Sequence, residues 1–159
     1  MLIYGIIMIK LSNLADYAVV LMSTIAARPG DLHTASSLNL DTKVPLPTVS
    51  KILGKMAKAG LLKSHRGVGG GFSLNHEEQE ISIADIIEAV DGPVQLTNCI
   101  GEEDISCDYV PVCTTRSKWD KINTAVYEAL NNVPLSEMVP NKYDFLPTEE
   151  IETLKNKEG

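Results

Sequence analysis

The sequence is short of cysteines, aromatic residues and long apolar runs. Of its 159 residues, three are cysteines and 5% are aromatic. The longest apolar stretch, residues 1–9, is far shorter than the ~18 residues that a membrane-spanning helix needs, so we expect no membrane segment. It has no preceding basic residue and no small-residue cleavage site, which argues against a secretory signal and favours a cytoplasmic protein. Because Met8 is a second plausible start, residues 1–7 are left out of the fold prediction.

Motifs of the common enzyme classes are also missing. The histidines His33, His65 and His76 are scattered, and no nucleophile-elbow, P-loop or HExxH pattern occurs. The sequence therefore favours a binding protein over an enzyme.

Acidic residues are absent from one long block of the chain. The net charge is −7, yet residues 42–76 contain no acidic residue and carry +6. The remaining 8 basic and 21 acidic residues give −13. The basic residues of the block are Lys43, Lys51, Lys55, Lys58, Lys63 and Arg66. Such a block suits a surface that faces phosphate groups, although a merely solvated charged face is the alternative.

Apolar spacing predicts helices over residues 12–28, 34–40, 48–59, 82–90 and 115–133. Ser12 can cap the first of them. The helix over 48–59 separates its faces most clearly, with Pro47 at its start and Gly60 just beyond its end. Its apolar face consists of Val49, Ile52, Leu53 and Met56, and its basic face of Lys51, Lys55 and Lys58.

A strand, a glycine-rich tip and a second strand are predicted over residues 61–74. The tip lacks the Lys-Ser/Thr pair of a phosphate-binding P-loop, and no βαβ unit surrounds it. We interpret this hairpin as a wing. The predicted fold is therefore mainly α with a small β-hairpin wing, a winged helix-turn-helix followed by a long helix.

The last predicted helix carries apolar residues at the spacing of a coiled-coil seam. They are Trp119, Ile122, Val126, Ala129 and Val133. We interpret it as a dimerisation helix, although burial of this face on its own domain is the alternative. The chain then divides into a winged helix-turn-helix DNA-binding domain (9–92), a cysteine-bearing loop (93–114), a dimerisation region (115–140) and a polar, partly disordered tail (141–159).

Cys99, Cys107 and Cys113 lie within fifteen residues of one another. Their odd number argues against a disulfide framework, and no close Cys-x2–4-Cys pair of the zinc type occurs. The wide spacing suits a loop around an iron–sulfur cluster, whose irons prefer thiolate ligands. On spacing alone, zinc, redox-active thiols and no ligand are alternatives.

The order of these elements resembles that of the IscR-type family of iron–sulfur-sensing repressors over residues 9–139. The stretches that carry the resemblance are LSNLADYA (11–18), PLPTVSK (45–51), RGVGGGF (66–72) and the cysteine loop with Trp119 just after it. Within the family, the details are most similar to regulators of the SUF iron–sulfur assembly system. The resemblance implies a repressor of assembly genes that senses cluster status and binds a double-stranded DNA operator as a homodimer.

The resemblance also implies where DNA binds. In this family the basic helix enters the major groove and the wing reaches the neighbouring minor groove. The matching residues are Thr48, Ser50 and Lys51 for base edges, Lys55 for phosphate, and Arg66 and Gly67 for the minor groove.

For the cysteines, the resemblance implies an iron–sulfur cluster, [2Fe–2S] rather than [4Fe–4S], bound by Cys99, Cys107 and Cys113. The best-known branch supplies a histidine three residues after the third cysteine, but here that residue is Arg116, which stays protonated and cannot bind metal. Other branches use an acidic residue from the first helix of the partner subunit, and Asp16 is the matching position. The alternative for Asp16 is a favourable interaction with the positive helix N-terminus.

The sequence leaves three rival functions open. A nitric-oxide or redox-responsive repressor, or a cluster-free relative that binds a metabolite, would share the fold. A winged helix that binds protein is the third, and the acid-free block argues against it.

Overall fold

The computed structural model describes residues 10–97, 100 and 113–140. The predictions for residues 1–7, for the tail 141–159, and for Cys99 and Cys107 lie outside these residues. In chain order the elements are α1 (Asn13–Ala26), α2 (Ala35–Thr42), α3 (Leu46–Lys58), β1 (Leu62–His65), β2 (Gly71–Leu74), α4 (Ile83–Asp91), α5 (Arg116–Asn131) and a 3₁₀ helix (Leu135–Met138). This mainly helical arrangement with one hairpin matches the predicted architecture.

Three of the helices begin where a hydroxyl side chain accepts a bond from a free backbone N–H of the first turn. Ser12 accepts from Ala15 N at the start of α1, as predicted. Thr34 and Ser82 do the same for α2 and α4, and in both helices the third residue bonds back to the cap. These starts are therefore set by short-range sequence.

One hydrophobic core joins α1, α2, α3 and α4. The four residues predicted for the apolar face of α3 are all buried. The largest fully buried side chains include Leu21, Met22, Leu38, Ile52, Leu53, Met56, Ile81, Ile86 and Leu135. Because the apolar face of α3 packs into this core, its opposite face is turned to solvent.

β1 and β2 pair in antiparallel fashion, from Leu62 opposite Leu74 to His65 opposite Gly71. A third backbone segment joins them at His33, which the sequence did not predict. The N–H of His33 donates to the Phe72 carbonyl at 2.9 Å, and the N–H of Phe72 donates to the His33 carbonyl at 2.8 Å. A Cβ on Gly71 would lie 2.9 Å from the His33 carbonyl oxygen, so glycine permits this close approach.

Among the described residues, the C-terminal end of α5 packs against the core, whereas Trp119 and Ile122 of its first half do not. Leu135, in the 3₁₀ helix that follows, is fully buried, and its N–H donates to the Ile81 carbonyl at 2.7 Å. Trp119 and Ile122 are 40% and 47% exposed in the single chain. The predicted seam is thus not buried on its own domain at these two residues, while Val133 at its end packs against the core. No helix in the described ranges is long and apolar enough to cross a membrane.

Candidate functional site

α3 begins at Leu46, two residues before the predicted start. Pro45 precedes it and Pro47 lies in its first turn, where the missing N–H of proline breaks no helical hydrogen bond. Ser50 and Lys51 are exposed, and Thr48 is half-buried. The first two turns of α3 therefore present short polar and basic side chains beside one exposed leucine.

Lys55, which the sequence predicts as a phosphate contact, has a backbone partner within the chain. Its Nζ donates a hydrogen bond to the Val90 carbonyl at 2.6 Å, and the side chain is half-buried. Val90 lies in the last turn of α4, which contains no basic residue of its own. A cation is favourable at this negative helix end. Lys55 thus joins α3 to the end of α4, and it is the exception among the basic residues of the block, because the other five are exposed.

Arg66 and Gly67 lie in the turn between β1 and β2, and both are exposed. Gly67 has a φ of 102°, a conformation that side chains with a Cβ rarely adopt. The hairpin tip therefore combines a cation with a backbone position that a narrow groove can approach closely.

Cys113 is the cysteine that lies within the described residues, three positions before α5 begins. Its Sγ is 3.3 Å from Thr115 Oγ1, and this hydrogen bond lowers the pKa of the thiol. A lower pKa favours the thiolate, which is the form that binds metal and reacts with oxidants.

Asp16 is exposed in the first turn of α1, and Arg116 is the first residue of α5. In the described part of one chain, no group of three or more histidines, cysteines and acidic residues could hold a metal ion. The predicted ligand set of three cysteines and Asp16 stays a prediction.

Asn123 was missed by sequence reasoning. Its Nδ2 donates to the Val94 carbonyl at 2.9 Å, and the Leu96 N–H donates to its Oδ1 at 3.0 Å. The side chain thereby fastens the segment that leads to the cysteines onto α5. The signal was slight: asparagine is a weak helix former in the middle of a predicted helix.

Residues 11–141 match the Rrf2 family, described as an iron-dependent transcriptional regulator. The chain belongs to the Rrf2 family. This Rrf2-family chain is 32% identical over 135 residues to the transcriptional regulator IscR of Pectobacterium atrosepticum, covering 84% of the chain and 80% of that protein. It is also 32% identical over 136 residues to IscR of Vibrio vulnificus, covering 82% and 77%.

Solved structures agree with these relatives. CymR, the global cysteine regulator of B. subtilis, matches with a TM-score of 0.65 and 26% identity, covering 82% of this chain and 96% of that one. IscR of T. potens matches with a TM-score of 0.66, covering 90% and 96%, and at 23% identity it supports the fold alone. The comparisons confirm the predicted winged-helix fold and the IscR-type resemblance. This Rrf2-family protein is therefore a transcriptional regulator, as predicted, and not an enzyme.

Proposed function

We propose that this Rrf2-family regulator is a cytoplasmic homodimer that binds a double-stranded DNA operator through α3 and the wing. We further propose that it represses iron–sulfur assembly genes, of the SUF type, according to cluster status. The carrying observation is the division of α3 into a buried apolar face and an exposed face in an acid-free block.

The DNA interface that we propose consists of Thr48, Ser50 and Lys51 on α3 with Arg66 and Gly67 on the wing. Side chains near the start of a recognition helix can reach base edges in the major groove. A cation at a hairpin tip suits the electronegative minor groove. Lys55 is assigned to holding α3 against α4 instead of binding phosphate, because its ammonium group lies on the Val90 carbonyl.

A homodimer is supported by the exposed apolar side chains of Trp119 and Ile122 on α5. An equivalent helix of a second copy would cover them at seam spacing. Two copies related by a twofold axis place two recognition helices on a pseudo-palindromic operator.

The cysteine segment, residues 93–114, is proposed to bind a [2Fe–2S] cluster through Cys99, Cys107 and Cys113, with Asp16 of the partner subunit as the fourth ligand. The lowered pKa of the Cys113 thiol fits a thiolate donor. A bound cluster supplies a redox-labile group held by soft thiolates and one harder, weaker carboxylate ligand. Asn123 fastens the entrance of this segment to α5, so rearrangement of the segment acts on the proposed dimer helix.

The test is anaerobic purification with analysis of iron, acid-labile sulfide, zinc and visible absorbance. Wild-type protein should be coloured and contain iron and sulfide, and Cys113→Ala should lose both or bleach far faster in air. Stoichiometric zinc without sulfide would overturn the cluster proposal.

Asp16→Ala should alter the visible spectrum of the cluster and its lifetime in air while changing apo-protein stability by under about 1 kcal/mol. Asp31→Ala, which removes another exposed carboxylate near α1, serves as control. An unchanged spectrum in Asp16→Ala would remove Asp16 from the ligand set.

A redox-responsive repressor of the same fold is the second candidate, and the Thr115 hydroxyl beside Cys113 favours it. A thiolate that is partly exposed is open to oxidation. In that case the protein is colourless as purified, and hydrogen peroxide changes its DNA affinity in the wild type but not in Cys113→Ser.

A further inference from the structure

Leu46, Ser50 and Gly54 form one row along α3, which runs from the edge of its buried apolar face onto its exposed side. Residues four apart lie above one another on the same helix face, so these three form a continuous stripe. All three are exposed. Leu46 is 43% exposed, whereas the four other large apolar residues of α3 are no more than 1% exposed.

A single exposed leucine is common on protein surfaces, so the exposure of Leu46 by itself does not indicate a binding site. Its position is what matters. It is the first residue of α3, one turn before Ser50, and the sequence pattern missed it because the predicted helix began at Thr48. The first turn of a recognition helix is the part that approaches base edges.

Gly54 supplies an independent observation about the same stripe. A glycine in a helix interior destabilises the helix relative to alanine. Gly54 is not among the glycines with positive φ, and apart from its chain neighbours and the backbone of its own helix, no heavy atom of the described residues lies within 4 Å of where its Cβ would be. Packing within the chain therefore does not call for glycine here. Its missing side chain leaves room for something outside the chain to come close to α3.

The charges around this stripe indicate which class of molecule could approach α3. Lys51 and Lys58 are exposed on the same helix, and no acidic residue occurs from 42 to 76. A polyanion is therefore tolerated against this surface. In the major groove of DNA, the apolar feature of a base edge is the C5-methyl group of thymine.

We propose that Leu46 is a specificity residue that contacts the C5-methyl group of a thymine in each operator half-site. Ser50 bonds a neighbouring base edge, and Gly54 lets the DNA approach the helix closely. This inference rests on the proposed DNA-binding function and adds a base preference to it.

The experiment begins with selection of the preferred duplex from random DNA by the full-length protein. Each thymine is then replaced singly by deoxyuracil, which removes only the methyl group, and dissociation constants are measured. One thymine position per half-site should show about four-fold weaker binding to wild-type protein, as expected for losing one buried methyl group. In Leu46→Ala this position should become insensitive to uracil. Leu32→Ala, which truncates another leucine that is 43% exposed, should keep the four-fold effect.

The outcomes separate the two proposals. If the protein selects a sequence but wild type and Leu46→Ala give the same uracil profile, the contact is refuted and DNA binding stands. If no sequence is enriched, the proposed function fails and the contact fails with it.

Gly54→Ala tests the close approach. It should raise the unfolding midpoint by about 2–4 °C and weaken binding to all duplexes. A stabilised variant with unchanged DNA affinity would refute the close approach at Gly54.

Discussion

At the scale of single residues, hydroxyl side chains decide where helices begin. Ser12 directly precedes α1, and its oxygen accepts a hydrogen bond from the Ala15 N–H at 2.9 Å. Water would otherwise have to satisfy this N–H, since the first turn of a helix has no internal acceptor for it. The same chemistry at Thr34 and Ser82 starts α2 and α4.

We expect Ser12→Ala to lower the free energy of unfolding by about 1 kcal/mol, because the N-cap hydrogen bond is lost. Urea denaturation of the apo protein measures it. Ser36→Ala, at an exposed position within α2, is the control and should change stability much less. Equal effects of the two substitutions would contradict a capping role for Ser12.

At the scale of elements, α3 contacts both the core and the end of α4. Its apolar residues bury one side, and Lys55 crosses to the Val90 carbonyl of α4. Asn123 of α5 then holds the chain just beyond α4. α3, the end of α4 and the start of the chain segment that leads to the cysteines are thus connected by hydrogen bonds between side chains and backbone groups.

Lys55→Met and Lys58→Met should therefore affect different properties, the first the stability of the protein and the second the salt dependence of its DNA binding. Lys55→Met keeps the aliphatic stem but leaves the last turn of α4 without its cation, so stability should fall by about 1 kcal/mol with little change in salt dependence. Lys58→Met should leave stability unchanged and reduce the slope of log K against log salt by about one, if Lys58 meets a phosphate. Fluorescence anisotropy at several salt concentrations and urea denaturation measure both. A reduced slope in Lys55→Met would instead restore Lys55 as a phosphate contact.

At the scale of the whole molecule, the C-terminal end of α5 is the part that packs against the hydrophobic core in the described residues. Leu135 belongs to the hydrophobic core, whereas Trp119 and Ile122 remain accessible in a single chain. Apolar residues at seam spacing on a solvent-facing helix favour association with an equivalent helix. The proposed dimer would complete the burial that one chain leaves unfinished.

Ile122→Asp should convert the dimer into a monomer near 17.3 kDa and weaken operator binding, because a charge then lies in the helix seam. Light scattering gives the mass and band-shift titration gives the affinity. Leu32→Asp, at another exposed leucine, should leave the mass at the dimer value. Wild-type protein that is already monomeric, or an Ile122→Asp variant of unchanged mass, would exclude α5 as the dimer helix.

Much of the fold was predictable because its signals are local. The 3.6-residue spacing of Val49, Ile52, Leu53 and Met56 identifies the buried face of α3 without knowledge of its partners. The glycine-rich hairpin and the cap at Ser12 likewise depend on neighbours a few residues away. The basic block from 42 to 76 is visible by counting.

The sequence by itself thus determined the element order, the inner face of α3 and the family to which the pattern points. Only the tertiary structure decided the partner of Lys55, since Val90 is 35 residues away and no periodicity encodes that pairing. The tertiary structure likewise decided the His33–Phe72 bridge and the two hydrogen bonds of Asn123 to residues 94 and 96. Each depends on backbone groups that come within hydrogen-bond distance only when separate elements pack together. Because nearly every residue has the same backbone carbonyl and N–H, the residue type does not reveal which of these groups becomes a partner.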